Sequence, residues 1–131
     1  MKNLIVTLFV TCISFQAFAA GKAKVNVTAK KLNDKSVELN FKTIPADGLA
    51  INSEGPWKLE IKDPGQLKFE KMELKRSDWK DKEATFTQTG TFAGKGNSSS
   101  VSYKLTAFVC TKDKGQCFRE VIEGTSDVTW K

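Results

Sequence analysis

Past the first twenty residues, Cys110 and Cys117 are the only pair whose type and spacing suggest chemistry, in the stretch VCTKDKGQCF. Six residues separate them, and Asp113, Lys114 and Gly115 offer a turn, with Gly115 expected in the left-handed conformation. Two strands joined there would set the cysteines directly opposite each other, where thiols can meet disulfide geometry. Such a pair either staples a hairpin or exchanges electrons with other thiols. Closing so short a ring removes roughly 2.5 kcal/mol of unfolded-state entropy, a modest staple. Lys112, Lys114 and Arg119 would favour a thiolate, while Asp113 and Glu120 partly cancel that field. These residues alone leave staple and redox exchange both open.

Little other chemistry is available. With no histidine in the chain, there is no imidazole for a nucleophile–base pairing and none for a metal. Two cysteines fall short of a four-ligand zinc site, and Met72 alone makes no copper site, so neither metal nor cofactor is expected. Asp78, Asp81 and Glu83 interleave with Lys80 and Lys82, which reads as a solvated loop instead of an acid/base pair. Trp57, Trp79 and Trp130 are expected to pack in or at the rim of a core. Asn26-Val27-Thr28 and Asn97-Ser98-Ser99 match a short glycosylation pattern that carries no weight by itself.

The elements that must position the cysteines read as strands. Apolar residues recur at every second position, and no window shows helical periodicity. Ala23, Val25, Val27 and Ala29 share a face; a turn at residues 32–35 leads to Val37, Leu39 and Phe41 on a second strand. Pro45-Ala46-Asp47-Gly48 interrupts, a short LAIN segment follows, and the loop SEGP precedes Trp57, Leu59 and Ile61. Asp63-Pro64-Gly65 ends that strand, and Leu67 and Phe69 begin another. A break is expected at residues 75–81, an edge strand at the Thr-rich residues 84–92, and a flexible connection at residues 94–100. Val101, Tyr103, Leu105, Ala107 and Val109 give the longest clean alternation, and a final strand ends near Trp130.

Period-two geometry then puts Cys110 on the opposite face from that apolar set, with Ser102, Lys104, Thr106 and Phe108. Its thiol should look toward solvent or a covering loop, with Phe108 beside it. Seven to nine short strands in one domain imply an all-β, immunoglobulin-like antiparallel β-sandwich, with a closed barrel as the alternative. In antibody domains the disulfide crosses between sheets far apart in sequence, so Cys110 and Cys117 are not that bond.

The first twenty residues, MKNLIVTLFVTCISFQAFAA, have the form of a secretory signal: Lys2, an apolar run over residues 4–15, and small residues ahead of cleavage near Ala19 or Ala20. Cys12 would leave with it. A single domain is expected over residues 21–131, without stable membrane insertion and in a compartment where disulfides persist. Loss of Lys2 lowers the net charge from +6 to +5. The basic residues alternate with acids and lack interleaved aromatics, which argues against nucleic acid as a partner.

The hairpin VSYKLTAFVCTKDKGQC, preceded by GLAINSEGPWKLEI, resembles the N-terminal periplasmic domain of the thiol:disulfide interchange protein DsbD family. Within that resemblance, Ile51-Asn52-Ser53-Glu54-Gly55-Pro56 is similar to a segment that precedes an alternating strand in the family, whose better-known members space their cysteines one residue closer. The resemblance implies an immunoglobulin-like fold in which Cys110 and Cys117 are the redox pair, with Cys117 favoured as the attacking thiol. It implies exchange with a DsbD-like membrane redox protein and with periplasmic thioredoxin-fold proteins. It also implies a cap loop over the pair, for which residues 53–57 are the place to look. The leading expectation is therefore a periplasmic thiol–disulfide exchange domain. The alternative is an immunoglobulin-like binding or adaptor domain whose hairpin bond is purely structural. A third is a non-exchanging, chaperone-like remnant of the redox family.

Overall fold

The computed structural model describes residues 21–79, 84–93 and 96–130. The segment read as a signal, Cys12, and Asp81 and Glu83 of the carboxylate group lie outside the described residues. Alternating apolar residues generate strands β1 (Ala23–Asn33), β2 (Ser36–Pro45), β3 (Leu49–Ile51), β4 (Lys58–Asp63), β5 (Leu67–Phe69), β6 (Glu73–Lys75), β7 (Thr85–Phe92), β8 (Ser98–Thr111) and β9 (Cys117–Thr129). A single turn of 3-10 helix, Arg76–Asp78, follows β6.

Two antiparallel sheets pack face to face, a β-sandwich as the alternation implies. One sheet has the order β1-β2-β7-β5; the other has β3, β4 and β6 on one side of β8 and β9 on its other side. Val37, Leu39, Phe41 and Phe86 from the first sheet meet Leu59, Val101, Leu105 and Ala107 from the second, all fully buried. Phe41 and Tyr103 close the gap between sheets edge to face, 5.5 Å between ring centroids. The closed-barrel alternative fails because, among the described residues, β1 pairs only with β2 and β9 only with β8. A groove of about 840 Å³ runs between those two edges.

Turn chemistry carries the chain between layers. At residues 45–48 the break falls as expected: Leu49 N–H donates to Ala46 C=O (3.0 Å), and Gly48 takes φ +81°. At Asp63-Pro64-Gly65 the chain leaves β4 in one sheet for β5 in the other, and Gly65 lies so close to Ser100 C=O that a Cβ would stand 2.3 Å from it.

Three expectations about the elements are corrected. The Thr-rich strand β7 is not an edge but lies between β2 and β5, with Gly90 in register with Val37 on one side and Phe69 on the other. Of the break expected at residues 75–81, the described part, 75–79, is not a plain break: Lys75 ends β6, which pairs with β4, and the 3-10 turn follows. Ser98–Ser100 belong to β8 instead of a loose connection, since Ser99 is buried with its Oγ accepting Gln66 N–H (2.8 Å) and donating to Pro64 C=O (3.2 Å).

Candidate functional site: a cysteine pair on the outer face of the β8–β9 hairpin

β8 and β9 form one long antiparallel hairpin whose last rung before the turn is Cys110 opposite Cys117. The two sulfurs are joined, with the Cα atoms 4.0 Å apart, so the expected hairpin disulfide is present. Val109, one residue earlier, is fully buried in the sandwich, which puts Cys110 on the outer face with Thr106 and Phe108, as the alternation predicts.

The pair is asymmetric. Cys110 lies on the inner strand of the hairpin, between Ala50 of β3 and Cys117 of β9 in the register, and is only 6% exposed. Cys117 begins the outermost strand and is exposed. One residue of the bonded pair is thus exposed and the other buried.

A loop over the neighbouring Phe108 follows from how β8 is paired. β3 occupies residues 109–111 of β8 and β4 occupies residues 102–106, so both strands share one neighbour and lie end to end along it. The chain linking them must leave the sheet. It does so at residues 52–57, with Asn52 N–H still bonded to Phe108 C=O (2.9 Å) before the loop arches over the outer face. Gly55 comes down on the Phe108 ring so closely that a Cβ would stand 2.3 Å from Cγ. Asn52 Oδ1 accepts Glu54 N–H (3.1 Å), Trp57 Nε1 donates to Asn52 C=O (2.6 Å), and Arg76 Nε donates to Ser53 C=O. The segment singled out as a cap therefore covers Phe108, the neighbour of Cys110 on the same face.

Beneath the loop, rings run in contact from the hairpin to the core. Phe108 meets Trp57 (6.3 Å between centroids), Trp57 meets Trp79 (4.9 Å), and Trp79 meets Phe86 (5.8 Å), each near edge-to-face. Arg76 lies over Trp79, 5.5 Å from its centroid, and so ties the 3-10 turn to the loop from a second side. Trp57 and Trp130 are buried and Trp79 is half-buried against the core, as packing residues should be. The use of Trp79 and Arg76 to hold the covering loop had no signal in the sequence, because that contact joins segments that share no pattern.

At the turn, Gly115 does not take the left-handed conformation; Lys114 does, with φ +60°. Asp113 explains the difference. Its Oδ1 accepts Gly115 N–H (2.9 Å) and the Thr111 hydroxyl, which fixes the residues around Lys114. These bonds, the hydroxyl first, hold the Asp113 carboxyl below its ordinary pKa. Lys112, Lys114 and Arg119 are exposed around the pair, and the Lys22 ammonium sits 4.8 Å over the Phe118 ring.

Among the described residues, no group of three or more His, Cys, Asp or Glu could hold a metal ion, and no helix is long and apolar enough to cross a membrane. No family model matches the chain, and no curated protein matches it.

Proposed function

We propose that this protein is a thiol–disulfide exchange domain acting through Cys110 and Cys117 in the periplasm, its partners being thioredoxin-fold proteins or a DsbD-like membrane redox protein. The observation that carries this reading is the unequal exposure of the two bonded residues: Cys117 is exposed, whereas Cys110 is only 6% exposed. A bond that serves only as a staple has no need of one attackable sulfur, whereas exchange requires it. The likeness of the hairpin and of residues 51–56 to the DsbD N-terminal domain, and the signal-like first twenty residues, support the same reading.

In the reducing direction, a partner thiolate attacks Cys117 Sγ, a mixed disulfide forms there, and the electron pair of the broken bond leaves on Cys110 Sγ, which takes a proton. The partner's second thiolate then attacks its own sulfur in the mixed disulfide and releases Cys117, so two electrons and two protons have entered the domain. In the opposite direction Cys117 is the attacking thiol and Cys110 resolves.

The reduction potential of the purified protein tests the proposal. A value above about −300 mV, within reach of cellular dithiols, is the expected result; a more negative value would mark a purely structural bond and return the domain to the adaptor reading.

A further inference from the structure

The turn between the cysteines is bound more tightly than its sequence suggests. Thr111 follows Cys110 and Gln116 precedes Cys117, so the rung they form is the next one after the disulfide. Thr111 N–H donates to Gln116 C=O (2.8 Å), and Thr111 C=O accepts Lys114 N–H (2.8 Å). The Thr111 hydroxyl accepts Gln116 N–H (3.1 Å) while donating to Asp113 Oδ1, which also accepts Gly115 N–H (2.9 Å). Asp113 and Thr111 therefore close the loop independently of the sulfur–sulfur bond. The residue between them and Gly115 that bears the left-handed backbone is a lysine, a conformation that such side-chain acceptors hold in place.

We propose that Asp113, acting through the Thr111 hydroxyl, is a positioning residue that holds the two thiols opposite each other after reduction and so sets the effective concentration at which the dithiol recloses. This rests on the exchange reading for its purpose but not for its measurement. When the disulfide is reduced by glutathione, two glutathione thiols are oxidised to glutathione disulfide, and their two protons and two electrons end on Cys110 and Cys117. The effective concentration read from that equilibrium depends on how well the free thiols remain juxtaposed, together with their acidity and the stability of each redox form. A rung fixed by Asp113 and Thr111 keeps the backbones near the 4.0 Å Cα separation of the oxidised form. A loop without them lets the strands splay at their last pair.

The test is the equilibrium of the purified full chain with glutathione redox buffers, read by thiol alkylation. Asp113→Ala and Thr111→Val should each lower the effective concentration by about tenfold, the scale of one lost charge-assisted hydrogen bond, or about 30 mV toward easier reduction. Asp113→Asn and Thr111→Ser, which keep the acceptor and the hydroxyl, should stay near the parent. Thermal unfolding of oxidised and reduced forms separates positioning from general stability. If Asp113→Ala lowers both melting temperatures alike and leaves the glutathione equilibrium unmoved, the proposal is overturned. It is equally overturned if Asp113→Asn shifts the equilibrium as far as Asp113→Ala. Failure of the exchange reading shows elsewhere, as absence of any mixed disulfide with a thioredoxin-fold protein, and leaves this measurement intact.

Discussion

Gly55 rests on the ring of Phe108, with no room between them for a methyl group. Because the loop bearing Gly55 is also held at Asn52, Ser53 and Trp57, it cannot simply lift to admit one. Gly55→Ala should therefore destabilise the fold by about 1–3 kcal/mol, the usual cost of overpacking, measured by urea unfolding. If the loop shields the neighbouring sulfur, the same variant should also speed reduction of the disulfide by a small dithiol. An unchanged rate would show that the loop covers Phe108 without guarding the bond.

The unequal burial of the two cysteines predicts which of them a partner captures. A Cys110→Ala variant, leaving the exposed Cys117, should trap a mixed disulfide with a thioredoxin-fold protein that lacks its resolving cysteine and carries its remaining one as a thionitrobenzoate disulfide, thionitrobenzoate being the leaving group. Cys117→Ala should trap at least tenfold less, because thiol–disulfide exchange depends on access. Equal trapping by both variants would contradict the assignment of Cys117 as the exchanging cysteine.

The hairpin bond closes a ring of only a few residues, and its loss should be tolerated. A Cys110→Ser/Cys117→Ser variant is expected to remain folded with a stability lower by about 2–3 kcal/mol on the chain-entropy scale, checked by denaturant unfolding of oxidised parent against variant. A far larger loss would make the bond a principal support of the fold and count against a bond that is broken in each catalytic round.

Glu60, whose desolvation is outweighed by Lys62 and Lys58, and two further carboxylates, Asp78 and Asp113, are held below their ordinary pKa and link stability to acid. Asp78 accepts Lys75 N–H (2.8 Å) and pairs with the Lys71 ammonium (3.1 Å), and these hold its pKa below the ordinary 3.8. Asp113 is held low in the same direction, by the Thr111 hydroxyl and then by Gly115 N–H. A carboxyl depressed in the folded state contributes stability that is fully present above its unfolded pKa and is lost as pH falls through the folded one. The urea midpoint should thus drop progressively as the pH is taken below about 4. Replacing Asp78 and Asp113 together by Asn should flatten that drop relative to the parent, and a parallel drop in the double variant would refute the linkage.

Lys114 carries a left-handed backbone that glycine adopts without a side-chain penalty. Lys114→Gly should leave the structure unchanged and shift stability by no more than about 1 kcal/mol, since relief of strain is offset by the freedom glycine gains in the unfolded chain. Gly115→Ala should cost little, because Gly115 is outside the left-handed region and a Cβ there meets the exposed Asp113 carboxylate, Oδ1 at 3.2 Å, which need shift only by a few tenths of an ångström. Thermal unfolding of the two variants distinguishes this from a turn that depends on Gly115.

Much of this architecture was legible because it rests on local alternation. Val101 to Val109 bury every second residue, and from that single stretch the outward position of Cys110 follows. The cysteine rung was legible too, since two strands joined by a short polar turn can align in few ways. What alternation could not show is which strand stands beside which. β7 reads as an edge because its threonines are polar, yet polarity on one face says nothing about neighbours along the sheet. Ser98 to Ser100 read as loop because serine has little strand preference, but hydrogen bonds from Ser99 across to residues 64–66 draw them into β8. At the cysteine turn, a general preference of glycine for left-handed backbone lost to a specific acceptor, Asp113. The covering loop was found by likeness of residues 51–56 to a family segment; its grip on Phe108 depends on β3 and β4 sharing β8, a long-range fact.

β9 is thirteen residues long and paired along one side only, yet neither of its ends is loose. Cys117 ties one end covalently, and at the other Trp130 packs on Phe92, 5.2 Å between ring centroids, while its N–H donates to Asn97 C=O. A strand moored at both ends does not fray; it can only bow in the middle, like a plucked string. Cutting the sulfur bond removes the covalent mooring and leaves Thr111 and Asp113 to hold the cysteine end by hydrogen bonds alone.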